Sequence, residues 1–313
     1  MNLGVCSNVT GFTFLALFGE PELQFPVGVL LIFAYVIIFW GNFTIIALFS
    51  ADSHLHTPMY IFLFNLSFID IASTSNILPK LFHMLFTKHN MISFAGCIIQ
   101  MYIFVSLVGT EFILLTAMAY DRYVAICHPL NYIVVMSFTK CVGLSVASWV
   151  VGFSIPNGHA VLISNMSFWS GRPIDHFFCD VSPLLMIACS DISMVEMLNY
   201  VEGVLVAFSS FLIILVSYIY IISNIVKIKS AEGKHKAFST CTSHLTCVII
   251  YYGTIICLHI KPTSSYFPKL DKIIALLYAV LVPMLNPFIY CLKNKDFKKS
   301  LLNLKAKIFT KAV

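Results

Sequence analysis

Seven long apolar segments are the feature that most limits what this chain can fold into. They cover residues 25–49, 59–83, 94–126, 141–163, 197–225, 237–260 and 271–292. Each is long enough to cross the ~30 Å hydrocarbon core of a bilayer as a helix. The composition agrees, because 59% of the residues are apolar and only 11% are charged, which is far from the usage of soluble domains. The sequence therefore predicts an all-α membrane protein built as a seven-transmembrane helix bundle.

These segments leave one membrane domain between two short ends. We predict an extracellular N-terminal tail at 1–24, the seven-transmembrane domain at 25–292 and a cytoplasmic segment at 293–313. The orientation follows because most of the 19 Lys and Arg residues fall on the side of the C-terminus. That basic side suits anionic lipid headgroups and an acidic cytosolic partner better than nucleic acid. Apolar residues at helical spacing predict a short amphipathic eighth helix near the C-terminus: Phe297, Leu301, Leu304 and Ile308.

The predicted outer side carries the residues that suit an oxidising compartment. Four cysteines lie there, where disulfides persist: Cys6, Cys97, Cys179 and Cys189. Two glycosylation sequons, at Asn8 and Asn165, lie on the same side. Both asparagines are therefore expected to be glycosylation sites.

Charged residues within the spans call for an explanation, because each costs roughly 2.5–3.5 kcal/mol on insertion scales. Asp70 and Glu111 lie in the second and third spans, and Asn42 and Asn286 offer amides in the first and seventh. Such a cluster in a bundle core predicts either a cation site, such as one for sodium, or a hydrogen-bonded polar core that fixes helix packing. The residues alone leave both interpretations open.

The seventh span contains the stretch PMLNPFIY, with prolines at positions 283 and 287. A proline inside a helix removes a backbone donor and favours a kink. Asn286 and Tyr290 can satisfy the groups that are freed nearby. We therefore expect a bending element in this span.

Asp121, Arg122 and Tyr123 lie side by side at the inner end of the third span. The fork of donors on Arg122 suits a breakable ion pair with Asp121, and Tyr123 suits the membrane interface. The alternative is a basic stop signal at the cytoplasmic side. The tripeptide alone does not decide between these interpretations.

Eight motifs, in order along almost the whole chain, resemble the olfactory (odorant) receptor family of rhodopsin-like class A G-protein-coupled receptors. They are GN at 41–42, LHTPMY at 55–60, LSFID at 66–70, MAYDRYVAICHPL at 118–130, SY at 217–218, KAFSTCTSHL at 236–245, YYGT at 251–254 and PMLNPFIYCLKN at 283–294. The resemblance implies a multi-pass plasma-membrane receptor that binds small volatile odorants. It also implies activation of a stimulatory, olfactory-type heterotrimeric G protein, which raises cyclic AMP.

The resemblance also implies a switch on the cytoplasmic side. In the inactive state Asp121 forms an ion pair with Arg122. In the active state the sixth span swings outward and Arg122 contacts the G protein. The residues implied in coupling and switching are Asp121, Arg122, Tyr123, Tyr218, Lys236, His244, Asn286, Pro287 and Tyr290, with Lys236 and His244 on the moving surface.

On the outer side, the resemblance implies a disulfide between Cys97 and Cys179. Relatives commonly carry a second loop cysteine where this chain has Trp169. Cys189 therefore lacks its usual partner. A bond from Cys189 to Cys6 is not expected.

The resemblance places the ligand site between the outer halves of the third, fifth, sixth and seventh spans. The candidate residues are Phe104, Val105, Val108, Gly109, Glu202, Val206, Tyr252, Ile255, Ile256 and His259. Most are apolar, which suits small volatile molecules. Glu202 is the exception, and two interpretations stay open. It is either an ionised selector of amines, or a protonated or solvated carboxyl bonded to Asn199 or His159.

Two other functions remain as alternatives. One is a related chemoreceptor that senses a metabolite outside the nose, and the other is a transporter or channel that uses Asp70 and Glu111 as an ion path. The lack of an internal repeat argues against the second. No metal-ligand or nucleophile constellation is visible, so we expect neither enzymatic activity nor a cofactor other than the sodium ion considered above.

Overall fold

The computed structural model describes residues 5–15, 17, 21–259, 267–291 and 297–302. Within these ranges the chain forms a bundle of seven helical spans, as predicted. The first three spans are Pro21–Ala51, Pro58–Thr87 and Phe94–Cys127. The fourth is Phe138–Ser154 followed by Asn157–Ser164, the fifth is Ser193–Glu202, Gly203–Phe208 and Ser209–Lys227, and the sixth is Ala231–His259. The seventh is Pro268–Leu276, Leu277–Leu281 and Val282–Cys291.

Six of these spans are long and apolar enough to cross a membrane, among the described residues. The sixth span differs because its first half is polar, and its apolar stretch is the shorter His244–Cys257. Short helical turns connect the first span to the second and the third to the fourth. They are the turn Ser53–Leu55 between the first two spans, and Pro129–Asn131 with Tyr132–Val135 between the third and fourth.

Local sequence signals account for the ends of the second and third spans. Pro58 opens the second span, where a missing N–H costs nothing, and Lys88 closes it in a left-handed conformation with φ 59°. Ser93 caps the third span by accepting a hydrogen bond from the Gly96 N–H at 3.1 Å. These signals account for both ends of the second span and for the start of the third, close to the boundaries predicted from hydropathy.

The third span lies at the centre of the bundle and packs against the second, fourth, fifth and sixth spans. Its approach to the fourth span leaves no room for a side chain at Gly152. A Cβ at Gly152 would lie 2.6 Å from the Thr110 backbone nitrogen. Glycine is therefore required at this crossing, because any side chain would separate the two helices.

The N-terminal tail pairs with two loops at one end of the bundle, which we call the tail face; the opposite end is the Arg122 face. Strand β1 (Cys6–Ser7) is antiparallel to β4 (Phe168–Trp169), and β2 (Gly11–Thr13) is antiparallel to β3 (Met91–Ser93). The loop of β4 also returns on itself, since the Trp169 N–H donates to the Ile187 carbonyl at 3.0 Å. The tail and both loops therefore form one layer over the spans.

Two disulfides lie in this layer. Cys97 is bonded to Cys179, the pair that the resemblance implies. Cys6 is bonded to Cys189, so the expectation against this bond was wrong. The physical reason is the pairing of β1 with β4, which sets Cys6 directly opposite Trp169. Cys6 of the tail thereby lies next to Trp169, the position where relatives carry the cysteine that pairs with Cys189.

Of the predicted eighth helix, only residues 297–302 lie in the described part of the chain, and they are helical. Phe297 and Ser300 are buried and Leu301 is half-buried, whereas Lys298 and Lys299 are exposed. This segment therefore has one apolar face and one basic face, as an amphipathic helix requires. Leu304 and Ile308 lie outside the described residues.

The Cys6–Cys189 bond predicts a specific rescue. Cys6→Ser should lower the thermal midpoint of the purified protein by about 4 °C, since loss of a disulfide costs roughly 2 kcal/mol or more. Adding Trp169→Cys to that variant should restore most of the loss, because the chain around residue 169 is hydrogen-bonded to the segment before Cys189: the Trp169 N–H donates to the Ile187 carbonyl, and the Cys189 N–H donates to the Ser167 carbonyl, each at 3.0 Å. Mass spectrometry of the non-reduced protein identifies the bonds. An unchanged midpoint in Cys6→Ser would contradict the assignment.

Candidate functional site

Arg122 and Asp121 form an ion pair at the end of the third span. The Arg122 Nε donates to Asp121 Oδ2 at 2.9 Å, and its Nη2 donates to the same oxygen. The Asp121 side chain is only 1% exposed, so the pair is sheltered from solvent. A sheltered, charge-assisted pair is stronger than one at an open surface. The structure thus holds Arg122 against its own neighbour.

Tyr132 also binds this pair, although no sequence pattern predicted it. Its hydroxyl donates to Asp121 Oδ1 at 2.8 Å. Burial raises the pKa of the Tyr132 phenol, and the negative charge of Asp121 raises it further. The hydroxyl therefore stays protonated and remains a donor at neutral pH. The turn that begins at Pro129 brings Tyr132 back toward the third span. The two residues are eleven positions apart, with the end of the third span and a turn between them, so their contact leaves no signal in the local sequence.

Tyr123, the third residue of the motif, is half-buried and faces away from the ion pair. Its hydroxyl is 3.1 Å from His128 Nε2, and its ring centroid is 6.0 Å from that of Tyr220 in the fifth span. Tyr123 therefore connects the third span to the following turn and to the fifth span, close to the membrane boundary.

Tyr218 of the fifth span is bonded to the sixth span. Its hydroxyl is 2.8 Å from His244 Nδ1 and donates to the Cys241 carbonyl at 3.3 Å. His244 is only 2% exposed, so in this conformation it lies inside the bundle, against the fifth span. Its helical phase turns it toward the fifth span. The side chains of Lys236 and Tyr290, which were also predicted here, lie outside the described residues.

Pro287 explains the polar contacts between the first and seventh spans. Because proline has no N–H, the Pro283 carbonyl four residues earlier loses its helical donor. Asn42 supplies one instead, since its Nδ2 donates to the Pro283 carbonyl at 3.1 Å. The ring of Pro287 also fits against Gly41, where an added Cβ would lie 3.2 Å from Pro287 Cγ. Gly41 and Asn42 of the first span therefore fit against Pro283 and Pro287 of the seventh, and we call this contact the joint between the two spans.

Asn286 has one of the two roles expected from the sequence. Its Nδ2 donates to both Asp70 carboxylate oxygens, at 3.0 and 3.2 Å, as an amide partner in a polar core does, and not to backbone groups freed by the prolines. All three side chains, Asn42, Asp70 and Asn286, are buried. The Asn42 amide thus supplies the hydrogen bond that the seventh helix lacks, and the Asn286 amide binds the Asp70 carboxylate.

Glu111 lies on the third span and is bonded to the seventh. The Tyr278 hydroxyl donates to Glu111 Oε2 at 3.3 Å, and the Tyr251 hydroxyl donates to the Val108 carbonyl at 2.9 Å. The described residues contain no group of three or more His, Cys, Asp or Glu side chains that could hold a metal ion. Asp70 and Glu111 each accept a neutral donor, which fits a hydrogen-bonded core.

Aromatic rings fill the interior of the bundle toward the tail face. Phe104 contacts Phe178 of the long loop and Tyr278 of the seventh span, with centroids 4.9 and 5.7 Å apart. Phe112 contacts Tyr251 and Tyr252, at 5.1 Å each. Phe178, Tyr251 and Tyr278 were not among the candidate ligand residues. Phe178 lies in the long loop, directly before Cys179, which is bonded to Cys97 of the third span.

The structure separates the candidate ligand residues by their burial. Four are buried in the interior: Phe104, Val108, Tyr252 and Ile255. Val105 and Val206 are half-buried. Gly109 and Ile256 face away from this interior. A Cβ at Gly109 would lie 2.8 Å from Ile155 Cδ1 of the fourth span, and Ile256 is 43% exposed on the outside of the bundle. The side chain of His259 lies outside the described residues.

Glu202 faces the fourth span. Its Oε2 is 3.4 Å from His159 Nδ1, while His159 Nε2 is 2.7 Å from Asn199 Oδ1. His159 is buried and Glu202 is partly exposed. The two partners that sequence reasoning named for a bonded carboxyl are thus both present in one cluster between the fourth and fifth spans.

The long loop is fixed over the spans by further contacts. The Cys179 N–H donates to Gln100 Oε1 at 2.9 Å, and Lys272 Nζ bonds Asp175 Oδ1 at 2.5 Å. Phe177 and Phe178 are buried beneath these contacts. Asn8 and Asn165, the predicted glycosylation sites, are both exposed on the tail face. The loop therefore closes the bundle, and both sequons remain accessible above it.

Comparisons with known proteins agree with this arrangement. The sequence profile of a family described as "Olfactory receptor" matches residues 31–307. The chain is 44% identical to Olfactory receptor 1C1 of Homo sapiens, over 96% of each chain. It is 43% identical to Olfactory receptor 5AR1 of Mus musculus, over 95% of this chain and 96% of that protein. It is 45% identical to Olfactory receptor 6F1 of Homo sapiens, over 93% and 94% respectively.

The joint between the first and seventh spans predicts a non-additive pair of substitutions. Asn42→Ala should destabilise the protein by about 1–3 kcal/mol, because the buried Pro283 carbonyl loses its donor. In a Pro287→Ala background the same change should cost less than half as much, since the introduced alanine supplies the helical N–H. Thermal midpoints of the four proteins measure the coupling. As a control, Thr44→Val, whose hydroxyl bonds only within its own helix, should be additive with Pro287→Ala. Additivity of Asn42→Ala would contradict the joint.

Proposed function

This chain belongs to the olfactory receptor family, and on that premise we propose that it activates a stimulatory, olfactory-type heterotrimeric G protein when a small volatile odorant binds between its spans. The product of this signal is cyclic AMP. The chain is a multi-pass membrane protein whose relatives are receptors and not enzymes. We place it in the plasma membrane, with its N-terminus extracellular and its C-terminus cytoplasmic. The disulfides and exposed sequons on the tail face support this orientation, because both require an oxidising, secretory compartment.

The observation that carries the proposal is the sheltered pair of Asp121 and Arg122. In this conformation Arg122 is bonded to Asp121, and Tyr218 is bonded to His244, so neither is available to a partner. We take this as the resting state. The active state would exchange these contacts for contacts with the G protein, and an odorant shifts the population only by binding the active state better.

The interior lining supports neutral, mainly apolar odorants. Buried aromatic and aliphatic side chains offer dispersion contacts, and the Tyr252 hydroxyl is already bonded to Ser210 Oγ at 2.7 Å. Glu202 faces His159, which supports a structural role at the contact of the fourth and fifth spans over selection of amines. An amine response that Glu202→Gln abolishes would reverse this assignment.

A sodium ion beside Asp70 and Glu111 remains part of the proposal as an alternative to a purely hydrogen-bonded core. Two buried carboxylates on adjacent spans offer oxygen ligands of the kind that such a cation takes. The donors Asn286 and Tyr278 support the hydrogen-bonded core instead. Replacement of Na⁺ by choline distinguishes the two, because only a bound sodium ion makes basal signalling depend on it.

The resting pair predicts the effect of its removal. Asp121→Asn should raise ligand-free cyclic AMP by about two- to fivefold, since the loss of ~1 kcal/mol of restraint shifts a two-state equilibrium by that order. The assay is cyclic AMP accumulation in cells, normalised to receptor at the surface. Glu232→Gln, an exposed acid on the same face, serves as the control and should leave the level unchanged. Equal basal levels in both variants would remove Asp121 from the switch.

The ligand site predicts a large effect at one residue and almost none at its neighbour. A panel of aldehydes, ketones, terpenoids, acids and amines in the cyclic AMP assay first identifies an agonist. Ile255→Ala should then raise its half-maximal concentration by about tenfold, because the buried side chain contributes roughly 1–2 kcal/mol of apolar contact. Ile256→Ala should change it less than twofold, since that side chain points outward. Similar shifts in both variants would show that the effect is not local contact.

A further inference from the structure

One polar contact fixes the helical segment 297–302 to the loop between the first two spans. Ser300 Oγ donates to Asp52 Oδ2 at 2.6 Å. Asp52 also caps the turn Ser53–Leu55, because its Oδ1 accepts the His54 N–H at 3.0 Å. Ser300 is only 6% exposed, and Phe297 beside it on the same helical face is equally buried. The docked position of this segment therefore includes a hydroxyl directed at a carboxylate.

The sequence before this hydroxyl is basic. Lys298 and Lys299 precede Ser300 directly, and both are exposed on the other face of the segment. Many protein kinases select serines that follow basic residues, because their substrate grooves are acidic, and such charge patterns determine which serine is modified. Ser300 therefore combines a recognisable flank with a contact that modification would change.

Phosphate on Ser300 would turn its attraction to Asp52 into a repulsion. A phosphoserine carries a charge of about −1.5 to −2 near neutral pH and no longer has the hydroxyl proton. Within hydrogen-bond distance of the Asp52 carboxylate, the attractive contact would become a repulsion between two anions. The segment could not keep its docked position with both charges in place.

We propose that Ser300 is a phosphorylation site for a kinase that prefers basic flanking residues, and that its phosphate releases segment 297–302 from Asp52. In the transfer, Ser300 Oγ forms a bond to the γ-phosphorus of magnesium-bound ATP. The bond from that phosphorus to ADP breaks, and the hydroxyl proton passes to the kinase's catalytic base. ADP leaves with the electron pair.

Burial of Ser300 makes the modification depend on conformation. The kinase acts on molecules in which the segment is undocked, and the phosphate then prevents redocking, so the undocked population accumulates. Access to ATP and kinases rests on the proposed cytoplasmic side of the Arg122 face. The measurements below use purified protein and no odorant, so their outcome is independent of ligand binding and of cyclic AMP.

Phosphorylation is tested on the full-length protein in lipid nanodiscs, with magnesium ATP and the catalytic subunit of the cyclic-AMP-dependent kinase as the probe. Tandem mass spectrometry should locate phosphate on Ser300. The yield at this serine should fall about tenfold in the double variant Lys298→Ala/Lys299→Ala. Absence of phosphate on Ser300 in the unmodified sequence would overturn the proposal, as would an equal yield in the double variant.

Release is tested by hydrogen–deuterium exchange of the backbone amides of 297–302. Exchange should be about tenfold faster in Ser300→Asp than in Ser300→Ala, because the first adds charge and the second only removes the donor. Adding Asp52→Asn to Ser300→Asp should return exchange to within about threefold of Ser300→Ala, since asparagine keeps the cap without the charge. Equal rates in the two single variants, or no recovery in the double variant, would refute repulsion as the mechanism.

Discussion

Polar groups in the apolar interior of a membrane bundle need partners within the protein, and that requirement organises this structure. An unpaired group in such surroundings costs several kcal/mol, far more than the net gain of a typical hydrogen bond. The amide of Asn42 meets the carbonyl freed by Pro287, and Asn286 meets the Asp70 carboxylate. The first, second and seventh spans are thereby connected by polar pairs at defined depths, whereas apolar packing alone would permit sliding.

The third span transmits these constraints between the two faces. Near the tail face its Cys97 is bonded to the long loop, and in the middle its Val108 carbonyl and Glu111 are bonded to tyrosines of the sixth and seventh spans. At its other end Asp121 restrains Arg122. A ligand that moves Tyr251 or Tyr278 therefore acts on the same helix that carries the ion pair. This connection runs through hydrogen-bonded groups of the third, sixth and seventh spans.

The sequence was sufficient for the number of spans, their approximate ends and the motif positions, because hydropathy and capping are local properties. It was insufficient for helix rotation. Ile255 and Ile256 have the same chemistry, yet a turn of about 100° separates a buried from an exposed side chain. Contacts between distant segments were equally hidden. The strand pairing that brings Cys6 opposite Trp169 involves only two residues, which is too short to produce an alternating sequence pattern. Nothing in the sequence around Tyr132 distinguishes it from other aromatic residues in loops.

The bond between Cys6 and Cys189 has a topological consequence for motion. It closes a covalent ring that contains the first four membrane crossings, and the ring ends just before the fifth span begins at Ser193. The smaller ring of Cys97 and Cys179 lies inside it. The last three crossings are joined to this double ring by a single stretch of chain. The protein is thus divided into a covalently closed half and an open half, and the helix expected to swing belongs to the open one.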